Sequence, residues 1–241
     1  MLSPRPFRAL RYQPARVDLG AVLGARRDDP RHATRLLDET AAADDGVHGA
    51  ARRARFRLAD WRRAGILARD QEPSLTLVKK SGPDGEALGL FCALSVNAFS
   101  HTDPPHDVAH EDWLEQTRLA VDPVVASFPA DTRARRVLDN AADREADASW
   151  TDGDASFELW VLDDETTAAR VGAMIDGASL SLMGGGELLA AHAAFAARQT
   201  RTHDEERPQA AQHALCFLHP KGDEWPSVPR GAALLPLDGA L

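Results

Sequence analysis

Cysteine is nearly missing from this chain. Cys92 and Cys216 are the two present, and each sits inside an apolar, strand-like run. So few thiols exclude the disulfide framework of small secreted domains, and two buried thiols in a reducing compartment is the expectation. No apolar run is long enough to span a bilayer. The first residues carry Arg5, Arg8 and Arg11 without an apolar stretch beside them, so no signal peptide is expected. Together these absences point to the cytoplasm. Positive charge is also short: the formal net charge is −9, which argues against a general nucleic-acid or anionic-membrane surface. Nucleophile-elbow, phosphate-loop, paired-cysteine and dinucleotide fingerprints are all lacking. So are internal repeats and long low-complexity tracts.

What is present suits a packed domain. Hydrophobic residues make up 44% of the 241 positions, enough for a buried core. Residues 47–67 read as an amphipathic helix ending near Gly65. Its arginines, Arg52, Arg53, Arg55, Arg57, Arg62 and Arg63, flank apolar Ala54, Leu58 and Trp61. They form either a solvated helix face or an anion-binding patch. Residues 74–80 and 88–99 read as two strands around the turn signal Ser81-Gly82-Pro83-Asp84-Gly85, a hairpin. A helix over 110–119 and a short strand over 123–128 follow.

The charged stretch 131–154 predicts a helix and a surface loop, and is the place for an internal boundary if the single domain has one. Beyond it the pattern alternates: strand 156–162, helix 164–175, strand 179–183, helix 187–200, strand 212–219. The proline-rich residues 220–241 read as a tail wrapping the surface with one short strand. This order predicts an α/β (α+β) fold with a mixed sheet and flanking helices. Phe91 and Trp160 are expected in its core.

Two constellations carry candidate chemistry. The first is His101, Asp103, His106, Asp107, His110, Glu111 and Asp112, between the hairpin and the next helix. Imidazole with carboxylate suits a transition metal, and carboxylates suit magnesium bridging a nucleotide. His101, Asp103 and His110 are the candidate metal ligands, although the spacing matches no established metal motif. His106 or Asp107 is a candidate general base. The alternative is a polar surface loop leading into an acidic helix start. The second is Gly184-Gly185-Gly186, where a strand turns into a helix. Backbone N–H groups at such a turn attract anions, while Glu187 in the first helical turn opposes them. The alternative is a tight turn into a core-packing helix. His192, His213 and His219 read as structural histidines.

Several segments resemble the bacterial domain-of-unknown-function family 1015. Pro6-Phe7-Arg8-Ala9-Leu10-Arg11-Tyr12 is similar to its N-terminal signature. Asp60-Trp61-Arg62-Arg63-Ala64-Gly65-Ile66-Leu67 with Glu72-Pro73 is similar to its helix-to-strand passage. Residues 89–94 fit its central strand, Pro105-His106-Asp107 resembles its Pro-His-Glu element, and Glu158-Leu159-Trp160 fits a later strand. These matches run in order from about residue 6 to about 219.

The resemblance implies likeness to free-serine kinases and to the ParB and sulfiredoxin core. It implies phosphoryl transfer from ATP or ADP, with Mg, to a small hydroxylated metabolite. It also implies that His106 and Asp107 face the Gly184–Gly186 turn. The chain departs from the family at three places. Gly24-Ala25-Arg26-Arg27-Asp28 stands where Pro-Pro-Tyr-Asp is usual. Gly184-Gly185-Gly186-Glu187-Leu188 stands where the family has Asp-Gly-His-His-Arg. Members of the family also run longer. The expectation is a divergent serine-kinase-like protein with a degraded phosphotransferase site, binding a small polar metabolite or a partner protein. The alternative is an active phosphotransferase on an amino-acid-like substrate.

Overall fold

The structure is a computed structural model, and it describes residues 4–24, 28–38, 46–99, 108–129, 131–175, 178–202, 209–225 and 228–238. Strand β1 (Leu10–Tyr12) and three helices come first: α1 (Leu19–Leu23), α2 (Ala33–Asp38) and α3 (Gly46–Arg63). Helix α3 ends at a turn in which Gly65 takes φ +69°, a left-handed conformation that glycine adopts without strain. The chain then forms β2 (Leu67–Arg69), antiparallel to β1.

The hairpin predicted from the sequence forms as β3 (Leu75–Gly82) and β4 (Gly85–Ser95). Its turn is tighter than expected. Gly82 pairs with Gly85, leaving Pro83 and Asp84 at the tip, so β4 starts and ends before the 88–99 range. Helix α4 (Val108–Thr117), β5 (Leu119–Ala120), β6 (Val124–Phe128), α5 (Thr132–Ala141), β7 (Ala148–Asp152) and β8 (Ala155–Leu162) follow. The residues expected as a surface loop therefore include a strand, β7. Trp150 explains it: the residue is buried and stacks on Phe157 at 5.1 Å, which ties the segment to β8 despite its charged neighbours.

Last come α6 (Glu165–Ile175), β9 (Ser181–Gly184), α7 (Gly186–Thr202), β10 (His213–Pro220) and β11 (Leu235–Pro236), which pairs with β5. The C-terminal segment does not wrap the surface as expected. Ala233, Leu234 and Leu237 are fully buried, because Leu10 and Leu234 exchange backbone hydrogen bonds that draw the segment inward.

Seven strands form the central sheet in the order β7-β8-β3-β4-β10-β6-β9. All neighbours are antiparallel except β10 and β6, so the sheet is mixed. The fold is α+β, as the alternation of elements predicts. Side chains alternate across a strand, and the two faces carry separate cores. One takes Leu75, Leu77, Leu90, Cys216, Leu218 and Trp160 against α5, α6 and α7. The other takes Val78, Phe91, Leu215 and Phe217 against α3, α4 and the N- and C-terminal segments. Phe91 and Trp160 are 0% and 2% exposed. No helix among the described residues is long and apolar enough to cross a membrane.

Candidate functional site

A cleft of about 910 Å³ opens on the second of these faces, above β3, β10 and β6. That volume lies within the range of small-molecule sites. Lys80 of β3 and His219 of β10 line it, with Val125 of β6 and Gly184 at the end of β9. Lys80 and Val78 share a face of β3, as His219 and Phe217 share a face of β10. Between these strands runs β4, where Gly89 lacks the side chain that would block the floor. A Cβ at Gly89 would lie 1.9 Å from the ring of Phe217. The Phe217 ring therefore lies across the glycine, packed against Phe91 and Trp225, each at 4.8 Å. Trp225 donates its indole N–H to the Leu88 carbonyl at 3.3 Å and forms part of the cleft wall.

Lys80 is the most telling group. The residue is 7% exposed, yet its Nζ makes no hydrogen bond among the described residues. Its nearest carboxylate, Asp84 Oδ2, is 3.9 Å away on a side chain that is 74% exposed. A buried ammonium normally has close, well-aligned acceptors. This one is left with donor capacity on the cleft side. His219 is also buried. Its Nδ1 lies 3.0 Å from the Pro220 carbonyl. Because a carbonyl only accepts, Nδ1 carries a proton, and in the neutral ring the lone pair is therefore on Nε2.

Two other charges of the cleft lining, Arg230 and Asp223, are already engaged, and Glu224 adds a further carboxylate to the lining. Arg230 pairs with Asp122 at 3.1 Å. Asp223 accepts from Arg135 at 3.0 Å and from the Leu88 N–H at 2.8 Å. His32 is positional: its Nδ1 accepts from the Thr34 N–H at 3.2 Å, and its Nε2 therefore donates to the Gly24 carbonyl at 3.0 Å. That bond fixes Gly24 at the cleft edge.

The glycine turn divides into three roles. Gly184 pairs with Val125 and has open space where a Cβ would be, on the cleft. Gly185 has φ +79°, and a Cβ there would come within 3.2 Å of Val124 Cα. Both facts demand glycine for local packing. Its carbonyl accepts from Leu189 N–H at 3.0 Å, so it caps α7, whose first residue is Gly186. The N–H groups of that first turn have no partner within the helix. Glu187 follows, exposed, in the same turn.

The other predicted site residues fare differently. His101, Asp103, His106 and Asp107 lie outside the described residues, so their facing of the Gly184–Gly186 turn is not described either. His110 is buried in α4, 6.0 Å ring to ring from His192 of α7. No group of three or more histidine, cysteine or acidic side chains among the described residues is arranged to hold a metal ion. His192 is not the satisfied structural histidine expected from the sequence. Both its ring nitrogens are buried without a hydrogen-bond partner among the described residues. Burial, with the nearby His110, pushes its pKa down to about 3.

Sequence reasoning missed Lys80, and it took His219 for a structural residue. The signal was present as parity. In Leu75-Thr76-Leu77-Val78-Lys79-Lys80, Leu75 and Leu77 stand on one face with the part-exposed Lys79, which pairs with Glu86 at 2.9 Å, while Thr76 and the buried Lys80 interrupt the other. The same holds for His213 and His219 among the apolar residues of β10.

The profile of a family described as "Protein of unknown function (DUF1015)" matches residues 5–228. No curated protein and no solved structure is matched by the chain.

Proposed function

Because the chain belongs to the DUF1015 family, we propose that it is a divergent, serine-kinase-like protein whose phosphotransferase site is degraded and whose cleft binds a small polar metabolite through an anionic group. One observation carries the reading. Gly24 and Gly184, the first residues of the two segments that replace the family's usual elements, line the same cleft as the ammonium of Lys80, whose carboxylate partner Asp84 is 3.9 Å away. Both departures from the family's pattern thus begin at the cleft that holds Lys80.

Phosphoryl transfer depends on neutralising charge on the phosphate oxygens. Exchanging two histidines and an arginine for Gly186, Glu187 and Leu188 takes those charges away. Each lost donor costs on the order of 3 kcal/mol in the transition state, or about a hundredfold in rate. Lys80 supplies one cation for ground-state binding, and the α7 N-terminus adds partial positive charge. Neither replaces the lost set.

The test is a thermal-shift series with ATP and ADP plus magnesium, L-serine and O-phosphoserine, run on wild type and on Lys80→Met. A ligand at a hundred times its Kd should raise the melting temperature by about 5–10 °C. That rise should vanish in Lys80→Met. No rise with any of them, or a rise that Lys80→Met leaves intact, would remove the cleft from the proposal.

The alternative, an active phosphotransferase on a small hydroxylated metabolite, draws on His219. Its Nε2 lone pair lies in the same cleft and suits a general base. Phosphorus NMR decides between the two. The first reading expects no O-phosphoserine from ATP and serine, and ready formation would favour the alternative.

A further inference from the structure

A second cleft, of about 450 Å³, lies away from the first, where the C-terminal half of α3 meets β2 and the turn after α4. Arg55 and Arg62, two turns apart on α3, line it together with Arg69 and Arg118. Four arginines thus border one hollow in a chain of net charge −9. Their compensation is thin. Asp238 approaches Arg69 at 3.6 Å and is 54% exposed. Glu115, the other carboxylate of the wall, is taken by Arg198 at 3.0 Å. Arg55 and Arg62 have no ion pair or hydrogen bond among the described residues. Arg63 on the same helix, by contrast, is bound to Asp60 at 2.6 Å. The arginine-rich helix is therefore not one uniform solvated face.

Arg118 gives an independent indication. It is the one non-glycine residue with positive φ among the described residues, at 54°. It follows the last residue of α4, the place where glycine is usual. An L-residue there costs roughly 1 kcal/mol or more. The backbone is held by Arg118 N–H to Leu114 carbonyl at 3.0 Å and by Leu237 N–H to Arg118 carbonyl at 2.9 Å. The guanidinium stacks 5.1 Å over the Phe195 ring, which fixes its direction. A glycine would satisfy the backbone better, and the stacked side chain holds this edge of the cleft in place.

From this geometry we infer that the arginine cleft is a binding site for a small phosphate-bearing organic anion. Planar guanidiniums pair with phosphate oxygens two at a time. Leu10, Leu58 and Leu119 give the ligand's uncharged part an apolar wall. The site is separate from the Lys80 cleft and needs none of its residues.

Calorimetric titration tests it with three probes: inorganic pyrophosphate, a hexose phosphate and a nucleoside monophosphate. Wild type should bind pyrophosphate saturably, and a tighter fit of either organic phosphate would identify the uncharged part. The double variant Arg55→Gln/Arg62→Gln changes exposed helical positions and should fold normally. Compared in a Lys80→Met background, which silences the other cleft, it should weaken binding roughly tenfold to hundredfold. Arg118→Gly, which relieves the backbone, should fold at least as stably and also bind more weakly. Absence of saturable binding to all three probes would overturn the inference. So would binding that survives the double arginine variant, or binding that only Lys80→Met abolishes.

Discussion

On β3 and β10, Leu75, Leu77, Cys216 and Leu218 face one side of the central sheet. Thr76, Lys80, His213 and His219 share the other side with Val78, Leu215 and Phe217. The first side meets three amphipathic helices and holds no charged group among its buried members. The second is covered by α3, α4 and the terminal segments. Its cover includes buried polar groups such as Arg11, which donates to Asp70 at 2.8 Å and to Ser74 at 3.0 Å, and the His110–His192 contact. The same strands thus give a face that stabilises and a face that can bind. The difference lies in buried polar residues, Thr76, Lys80, His213 and His219, placed at one parity, whereas Lys79 at the other is part-exposed and paired with Glu86.

The largest expected effect tests the stabilising face. Leu77→Ala removes a fully buried side chain from between helices that cannot collapse around the gap. Chemical denaturation should show a loss of about 2–5 kcal/mol, and a loss under 1 kcal/mol would erase the contrast. On the opposite face, Gly89→Ala drives a methyl into the Phe217 ring. It should cost about 1–3 kcal/mol and narrow the Lys80 cleft, to be read as weaker ligand-induced shifts in melting temperature.

A pH series sharpens the same comparison. His192 stays neutral in the folded state down to about 3, against an ordinary imidazole value of 6.5. Between those values the unfolded chain binds the extra proton, so stability is full above 6.5 and falls as pH drops. From pH 7 to pH 5 this one group should cost about 2 kcal/mol. His192→Leu should flatten that slope in denaturation curves collected at both pH values. An unchanged slope would mean that the histidine is hydrated.

The smallest expected effect belongs to Lys80→Met. It removes a buried, poorly compensated charge, so stability should stay within about 1 kcal/mol of wild type or rise. Ligand binding at the cleft should be lost. A large destabilisation would mark Lys80 as structural.

Much of this architecture was legible locally. The hairpin carried its own turn, with glycines at both ends and proline between. The strand containing Trp160 and the helix after Gly185 also declared themselves by period. Helices α1 and α2 did not, because five or six residues are too few to show a 3.6-residue repeat. Strand β7 was hidden by surrounding charge, since its one anchoring residue, Trp150, is a tertiary effect. For the site, the glycine turn could be found by its composition. Lys80 and His219 could not be joined without the strand order, because β4 lies between β3 and β10 and the two residues are far apart in the chain. The fourfold arginine cleft is of the same kind: two of its members stood out on α3, and two arrive from other elements.

Strand β10 has a consequence for how the protein is made. It sits between β4 and β6, pairing with both, yet it is the last strand of the central sheet to leave the ribosome. Until residues 213–220 emerge, β4 and β6 each present an unsatisfied edge, and the sheet exists only as two fragments. Closure then depends on contacts spanning more than half of the sequence, which slows folding. During that interval the exposed edges are open to pairing with other chains. Synthesis, rather than the finished fold, is therefore the stage at which this protein is most exposed to aggregation.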